Sequence, residues 1–205
     1  MEQQQTVNAG GSAVDILFDR DFIVAYQAMD KDLCQAVIDR FDQDAQKTHG
    51  NIFRPEASGV YDKSIKNSWD LDIPRDGAWS DIFRKIHPKI QACMADYLAR
   101  SPVLQSVPLQ ATGYKIQMYP SNQGYFHWHA DAIGKNSQGR AVAMILYLND
   151  VEKGGETEFY HQHIKVVPKA GQLILFPASW NYMHRGHTPE SGDKYIVQTF
   201  IRIKD

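Results

Sequence analysis

The second half of this sequence is a series of short β-like runs separated by turn residues, and this spacing restricts the possible folds more than any other feature. After Pro108, β-branched and aromatic residues alternate with Gly, Asn, Asp and Pro, which is typical of a β-sandwich or barrel. Helical patterns come first, without regular strand–helix alternation. We therefore predict an α+β protein, mainly β with N-terminal helices, whose core is a double-stranded β-helix of the jelly-roll or cupin type. The predicted strands are residues 113–119, 124–131, 141–148, 156–160, 164–167, 172–176 and 194–203.

The first half contains two helical patterns after a short predicted strand at residues 22–26. Asp30 is a suitable N-cap for the first helix. The second helix begins near Ser80, and Pro88 is expected to kink or split it because proline lacks an amide donor. The residues predicted to face the core are Leu33, Val37, Ile38 and Phe41 in the first helix and Ile82, Ile86, Ile90, Met94 and Tyr97 in the second.

A length of 205 residues fits one domain. Residues 1–12 are polar and predicted as a flexible tail, and residues 13–205 as a single domain. Within it, helical support spans about 22–105 and the jelly-roll core about 108–205. Residues 49–77 mix Gly, Pro, Ser and Asn, so we expect a loop there with at most a short strand near 64–71.

The charge pattern and hydropathy argue against several classes of partner. The net charge is −2, and no acidic or basic block suggests a nucleic-acid surface. No apolar run approaches the roughly 18 residues of a membrane span, and the N-terminus lacks a signal-peptide pattern, so a cytoplasmic protein with no membrane or nucleic-acid partner is expected. Cys34 and Cys93 have no partner at metal-ligand spacing and are predicted as reduced core residues.

Six of the eight histidines lie between positions 127 and 187. Among them, His129 and Asp131 are two positions apart, which on a strand directs both side chains to one face. Two imidazoles and one carboxylate on one face of iron(II) leave three positions open for other ligands. A His-x-Asp pair alone is a weak signal, and the third ligand must come from elsewhere; His184 lies where a later strand of a jelly roll would begin.

Motif order makes the signal more specific. Residues 119–203 resemble the catalytic core of the prolyl-4-hydroxylase-like branch of the 2-oxoglutarate/iron(II) oxygenases. The resemblance implies Fe(II) bound by His129, Asp131 and His184, with 2-oxoglutarate and dioxygen as cosubstrates and ascorbate as a further candidate cofactor. The matching pieces are Tyr119-Pro120, Gly124-Tyr125, His129-Ala130-Asp131, Tyr147-Leu148-Asn149-Asp150, Gly154-Gly155-Glu156-Thr157-Glu158-Phe159, Val167-Pro168, Gly171, Leu175-Phe176, His184-x-Gly186 and Gly192-Asp193-Lys194.

The same family places a basic residue nine or ten positions after the distal histidine, where it binds the far carboxylate of 2-oxoglutarate. Lys194 stands ten positions after His184 but only seven after His187, so this spacing favours His184 as the metal ligand. The resemblance also implies that Tyr119 hydrogen-bonds the cosubstrate. Tyr125 and Tyr147 are competing candidates for that role.

The implied activity is oxidative decarboxylation of 2-oxoglutarate to succinate, coupled to hydroxylation of a substrate, most simply a prolyl residue in a peptide or protein. Free amino acids and other small molecules are alternative substrates. The presence of Asp131 favours hydroxylation, because halogenating relatives carry a small residue there. The rival functions are a non-catalytic, cupin-like module that binds or senses a metal, and a degenerate oxygenase fold that binds protein.

Several residues outside the triad are candidates for substrate contact. The segment 51–69 is a plausible substrate cover, and a loop folded on the helices is the equal alternative. His127 is expected at the substrate entrance and outside the metal shell, whereas His161 and His163 are expected in an exposed turn. The further candidates are Arg54, Tyr61 and Trp69 in that segment, together with Arg140 and Trp180.

Overall fold

The computed structural model describes residues 14–52 and 60–204 of the protein. The predicted tail at residues 1–12 lies outside this part of the chain. In the described part the helices are α1 (Lys31–Gln43), α2 (Ser80–Ala99) and α3 (Pro102–Gln105). The strands are β1 (Asp15–Arg20), β2 (Ile23–Gln27), β3 (Thr48–His49), β4 (Lys66–Asn67), β5 (Trp69–Ile73), β6 (Leu109–Ala111), β7 (Tyr114–Tyr119), β8 (Tyr125–His129), β9 (Arg140–Tyr147), β10 (Thr157–Phe159), β11 (Ile164–Val166), β12 (Gln172–Pro177), β13 (His184–Gly186) and β14 (Lys194–Ile203).

These strands form two antiparallel sheets. Among the described residues, the major sheet has the order β1-β2-β12-β9-β14-β7-β5-β3, with β6 paired to β14 at its side. The minor sheet has the order β11-β10-β13-β8-β4. Neighbours in both sheets are mostly distant in sequence, as in a jelly roll, and the predicted double-stranded β-helix with N-terminal helices is confirmed.

The central strand β9 shows how the sheet is covered on both faces. Val142, Met144 and Leu146 belong to the core between the major sheet and the helices. Ala143, Ile145 and Tyr147 belong to the core between the two sheets. Because side chains alternate along a strand, a strand buried on both sides becomes a continuous apolar run, which is why β9 is so clear in the sequence.

Helix α1 begins as predicted, because the Asp30 carboxylate accepts a hydrogen bond of 2.8 Å from the Leu33 amide. Of the two outcomes predicted at Pro88, a split of α2 is wrong, since the helix runs unbroken from Ser80 to Ala99, and a kink stays a prediction. Proline inside a helix costs about 3 kcal/mol, whereas each large apolar side chain that α2 buries contributes about 1.5–3 kcal/mol. The predicted core residues of α2 are all buried: Ile82, Ile86, Ile90, Met94 and Tyr97. Cys34 and Cys93 are buried and unbonded, as predicted.

The structure also contains strands that the sequence patterns did not predict. The strand predicted at residues 22–26 is present as β2, but β1 pairs with it through a turn in which Asp21 and Phe22 both have positive φ, at 51° and 60°. Asp21 is a residue type that such turns favour, but Phe22 stands where glycine usually marks them in sequence. Within residues 49–77, where we predicted a loop with at most a short strand near 64–71, two strands are present instead: β4 joins the minor sheet and β5 joins the major sheet. No helix in the described ranges is long and apolar enough to cross a membrane.

Candidate metal centre

The pairing of β13 with β8 brings two histidines together across the minor sheet. His184, the first residue of β13, lies opposite His129, the last residue of β8. Asp131 follows two residues later in a turn, so the prediction that the strand extends to Asp131 is wrong, although its side chain still reaches the histidines. Among the described residues, the ligand atoms of these three side chains lie within 4.8 Å of one another.

Backbone carbonyls orient both imidazole rings. Nδ1 of His129 lies 2.8 Å from the His127 carbonyl oxygen, and Nδ1 of His184 lies 3.0 Å from that of Tyr182. Because a carbonyl only accepts, each Nδ1 carries the proton and each Nε2 keeps its lone pair. The two Nε2 atoms each lie 3.8 Å from an oxygen of Asp131. Metal-binding histidines commonly donate their other ring N–H to a carbonyl in this way, as the two Nδ1 atoms do here.

The electrostatics of the cluster also fit a bound cation. Burial, followed by the neighbouring His184, holds the pKa of His129 well below its usual value, so the ring is neutral and able to bind a metal. Burial raises the pKa of Asp131, and its Oδ2 is buried without a hydrogen-bond partner in the described structure. An unpaired buried carboxylate oxygen is costly, and a metal ion between the three side chains would neutralise it. The donor set is one that iron(II) accepts.

A cavity extends from the two histidines into the space between the sheets. Lys194 lies in its wall and is almost fully buried, with 3% of its surface exposed. Its Nζ donates a hydrogen bond of 2.7 Å to the Gly155 carbonyl, and no carboxylate of the described residues lies within ion-pair distance. Burial lowers the pKa of Lys194 to about 7. The residues lining the cavity are Gln117, Tyr119, Phe126, His129, Ile145, Thr157, His184, Gly186, Lys194, Ile196 and Gln198.

Tyr119 lies directly opposite Lys194 where β7 pairs with β14. The residue lines the same cavity, and its hydroxyl donates a hydrogen bond of 2.9 Å to Oε1 of Gln117, which is another lining residue. The two competing tyrosines use their hydroxyls elsewhere, since Tyr147 donates to Thr157 and Tyr125 to the carbonyl of Lys63. Of the three, Tyr119 is therefore the tyrosine whose position suits the predicted contact with a ligand beside Lys194.

The other histidines lie outside the cluster. His187 pairs with Glu158 instead of facing the cavity, which supports the choice of His184. His127 is exposed on β8, and His161 and His163 lie exposed in a turn, as predicted.

The structure describes only some of the residues that were predicted to contact the substrate. Arg140 donates a hydrogen bond of 3.1 Å to the Asp131 carbonyl, so it supports the turn that presents this carboxylate. Trp180 is 70% exposed. Tyr61 and Trp69 both stack on His49, with ring centroids 4.7 and 4.0 Å away. Arg54 lies outside the described residues, and the substrate role of the segment 51–69 stays a prediction.

Sequence reasoning missed three polar residues, namely Gln117 in the cavity wall and its buried neighbours Lys66 and Asp70. Gln117 could have been found, because it shares a strand face with Tyr119 by parity. Lys66 and Asp70 carry no such signal, since charged residues in a polar loop are normally exposed. Only the pairing of β4 and β5 into different sheets buries them.

Residues 114–202 match the profile of the 2OG-Fe(II) oxygenase superfamily. A protein of Acanthamoeba polyphaga mimivirus named "Putative prolyl 4-hydroxylase" is 23% identical over 176 residues, covering 77% of this chain and 66% of its own length. The chain thus spans slightly under two thirds of this relative.

Solved structures with the same fold include the viral collagen prolyl hydroxylase of Paramecium Bursaria Chlorella virus-1 in its 2-oxoglutarate complex, with a TM-score of 0.64, 16% identity and coverage of 90% of this chain and 97% of that one. A prolyl hydroxylase from Trichoplax adhaerens, bound to a fragment of hypoxia inducible factor, has a TM-score of 0.69 and 18% identity over 84% and 78% of the two chains. A Pseudomonas putida prolyl-4-hydroxylase has a TM-score of 0.65 and 16% identity over 89% and 93%.

The family profile covers the strands that carry Tyr119, His129, His184 and Lys194, as well as the turn that carries Asp131. The fold, the cluster of ligand-type side chains and the adjoining cavity agree with this match. Residues 114–202 are therefore similar to the 2OG-Fe(II) oxygenase superfamily, whose name denotes the use of 2-oxoglutarate and iron(II).

Proposed function

We propose that this protein is a 2-oxoglutarate-dependent hydroxylase that acts on a prolyl residue in a peptide or protein. The observation that carries the proposal is Lys194, a buried lysine whose ammonium group donates to the Gly155 carbonyl and forms no ion pair within the described residues, in the same cavity as His129 and His184. Burying a cation without an anionic partner is unfavourable, so the site is built for an anion supplied from outside. A dicarboxylate cosubstrate provides that anion beside the metal.

In this proposal His129, Asp131 and His184 hold iron(II), and Lys194 binds the far carboxylate of 2-oxoglutarate. Bound iron and cosubstrate supply the activation of dioxygen, with succinate as coproduct. The protein's own residues orient these groups. The carbonyls of His127 and Tyr182 fix the two imidazoles, and Arg140 holds the turn that carries Asp131. The retained carboxylate of Asp131 supports hydroxylation.

The prolyl substrate rests on the relatives. The similar proteins named above are prolyl hydroxylases, and the Trichoplax adhaerens structure contains a peptide fragment. At their low identity to this chain, these similarities support the fold alone. Substrate choice depends on loops that differ between such proteins. A small molecule such as a free amino acid is the alternative substrate. Ascorbate as a cofactor and a cytoplasmic location stay predictions.

The first experiment is an anaerobic titration of the protein with iron(II) and then 2-oxoglutarate, followed by succinate detection in air. We expect a visible metal-to-ligand absorption band and slow succinate formation in the wild type. The variant His129→Ala should lose both signals. His161→Ala, which removes an exposed histidine far from the cluster, is the matched control and should retain them. If the wild type retains zinc tightly but shows neither signal, the metal-binding module is the better description.

A second experiment tests the substrate. Proline-containing peptides are incubated with the iron-loaded protein, 2-oxoglutarate and air, and the products are analysed by mass spectrometry for the addition of one oxygen atom to proline. The same peptides with alanine in place of proline are the controls. Succinate formation that is stimulated by free amino acids and by none of the peptides would instead support a small-molecule substrate.

A further inference from the structure

A chain of buried polar side chains runs behind the cavity and ends at Tyr119. Lys66 on β4 donates a hydrogen bond of 2.9 Å to Oδ2 of Asp70 on β5, and this ion pair joins the minor sheet to the major sheet. Asp70 lies opposite Gln117 in the pairing of β5 with β7, and the Gln117 Nε2 donates to the same Oδ2 at 3.2 Å. Oε1 of Gln117 then accepts the Tyr119 hydroxyl. All four side chains are at most 5% exposed.

The direction of this chain follows from Asp70. An ionised carboxylate only accepts hydrogen bonds, and its Oδ1 is already occupied by the Ser68 hydroxyl at 2.7 Å. The amide of Gln117 must therefore present its NH2 group to Asp70 and its oxygen to Tyr119. If the amide were reversed, its oxygen would face the Asp70 carboxylate, which is unfavourable. Oδ2 of Asp70 also accepts the hydrogen bond from Nζ of Lys66 at 2.9 Å, so both carboxylate oxygens act as acceptors.

It follows that the single proton of the Tyr119 hydroxyl points to Gln117, and that Tyr119 offers only oxygen lone pairs to the cavity. A carboxylate beside Lys194 needs donors. Tyr119 can serve it only by turning its proton away from Gln117, and the Oε1 of Gln117 then becomes a buried acceptor without a donor. Because a buried acceptor without a donor costs free energy, ligand binding that takes the Tyr119 proton from Gln117 is weakened.

We propose that Gln117, oriented by Asp70 and Lys66, competes with 2-oxoglutarate for the Tyr119 proton and so lowers the affinity of the protein for this cosubstrate. The inference rests on the proposed function, because it takes 2-oxoglutarate as the ligand of the cavity. Gln117 is thereby a positioning residue that acts through Tyr119. Its loss should tighten binding, whereas the loss of a merely structural residue would weaken binding or leave it unchanged.

The test is a double-mutant cycle on Gln117 and Tyr119. Gln117→Met keeps the length of the side chain and removes its acceptor. The dissociation constant of 2-oxoglutarate is measured by anaerobic titration of the iron(II)-loaded protein, from the charge-transfer band and by calorimetry. We expect Gln117→Met to lower this constant about tenfold, which corresponds to about 1.4 kcal/mol for one unsatisfied acceptor. In the Tyr119→Phe background the same substitution should have no effect.

Gln198→Met is the matched control, because Gln198 lines the same cavity without a hydrogen bond to Tyr119. This variant should not show the Tyr119-dependent decrease in the dissociation constant of 2-oxoglutarate. A second route changes Lys66→Met and Asp70→Asn together, which avoids leaving either buried charge unpaired. The amide at position 70 allows Gln117 to turn its NH2 group to Tyr119, so this pair should also tighten binding, again only when Tyr119 is present.

The outcomes separate this inference from the proposed function. If the wild type binds no 2-oxoglutarate, the proposed function fails, and the inference fails with it. If the wild type binds but both routes leave the affinity unchanged or reduced, the inference alone is overturned. A gain that persists in the Tyr119→Phe background also overturns it, because Gln117 would then act by another path. The paired substitution keeps the test decisive if Gln117→Met does not fold.

Discussion

Lys194 is the residue on which the proposed chemistry depends most, because its ammonium group forms no ion pair within the described residues and faces the rings of Tyr119 and Tyr147, at 5.7 and 5.4 Å. One of its three N–H groups donates to the Gly155 carbonyl, and the other two have no hydrogen-bond acceptor among the described residues. A lysine in this state is destabilising for the ligand-free protein and favourable for binding an anion. The proposed function thus uses a position where the folded chain leaves a polar group incompletely paired.

Removing this side chain should selectively weaken cosubstrate binding. We expect Lys194→Ala to raise the dissociation constant of 2-oxoglutarate at least about thirtyfold, since losing one partner of a buried charge pair costs roughly 2–5 kcal/mol. Iron(II) affinity should be retained, because the triad is unchanged. The control is Lys115→Ala, whose side chain is exposed and paired with Asp72. An unchanged dissociation constant, measured by anaerobic titration, would contradict the assignment of Lys194.

The same residue predicts a pH dependence. Its pKa is about 7 in the ligand-free protein, so the ammonium is present below pH 7 and is lost as the pH rises above that value. The affinity for 2-oxoglutarate should be highest below pH 7 and fall as the pH rises, and Lys194→Met should lack this part of the slope.

The stability of the ligand-free protein should respond in the opposite sense. Between about pH 7 and 10.5 the unfolded chain holds the Lys194 proton while the folded chain has released it. Stability therefore rises with pH across this window, relative to Lys194→Met. Titrations and denaturant unfolding at matched pH values measure the two effects. A wild-type affinity that is flat or rising from pH 6 to 9 would be inconsistent with this account.

At the scale of elements, the short strand β13 does more for the site than its three residues suggest. Its pairing with β8 positions His184, and its last residue, Gly186, forms part of the cavity wall opposite Phe126. A Cβ atom added at Gly186 would lie 3.9 Å from Phe126 and 4.0 Å from Nζ of Lys194. These are ordinary contact distances, so alanine fits, but a larger side chain would enter the space beside the ammonium.

We therefore predict a graded effect at this position. Gly186→Ala should bind 2-oxoglutarate nearly as the wild type does, whereas Gly186→Ile should weaken binding at least about fivefold through steric overlap, at a cost of about 1–3 kcal/mol. Iron(II) binding should persist in both. Gly113→Ile is a suitable control, since nothing lies within 4 Å of a Cβ added there. Equal affinities for the alanine and isoleucine variants would show that the ligand does not occupy this side of the cavity.

For the whole molecule, Asp131 is a group that suits metal binding but destabilises the metal-free fold. The triad joins β8, the following turn and β13, so a metal ion bound there cross-links separate parts of the minor sheet. Without a metal, the carboxylate is buried with one unpaired oxygen and has a raised pKa because of burial. Burial of this carboxylate thus lowers the stability of the metal-free protein, and a bound ion would satisfy the group.

This leads to a test by thermal unfolding. Metal-free Asp131→Asn should be at least as stable as the metal-free wild type, because the substitution removes a buried charge and keeps the shape. Iron(II) should stabilise the wild type by about 2.7 kcal/mol at one hundred times its dissociation constant, and should not stabilise the variant. A metal-free variant that is clearly less stable than the wild type would mean that Asp131 has a structural partner in the native fold.

Much of the site could be predicted from the sequence because its signals are local. Strand runs follow a period of two, Asp30 caps α1 within one turn, and the spacings of His129, Asp131, His184 and Lys194 are set along the chain. The structure brings His129, Asp131 and His184 into one cluster and places His129, His184 and Lys194 in the wall of one cavity. The same local reasoning failed at Pro88, where the burial of one face of α2 outweighs a local penalty.

Other properties were decided only by tertiary structure. Lys66 and Asp70 are buried because β4 and β5 enter different sheets and pair with strands far along the chain, and a polar loop sequence contains no trace of that pairing. The proton of Tyr119 points to Gln117 because Asp70, 47 positions away, orients the amide. The sequence by itself thus determined which residues are available for chemistry. The tertiary structure decided which of them are desolvated and which way their hydrogen bonds run, because desolvation and hydrogen-bond direction depend on neighbours that only folding brings together.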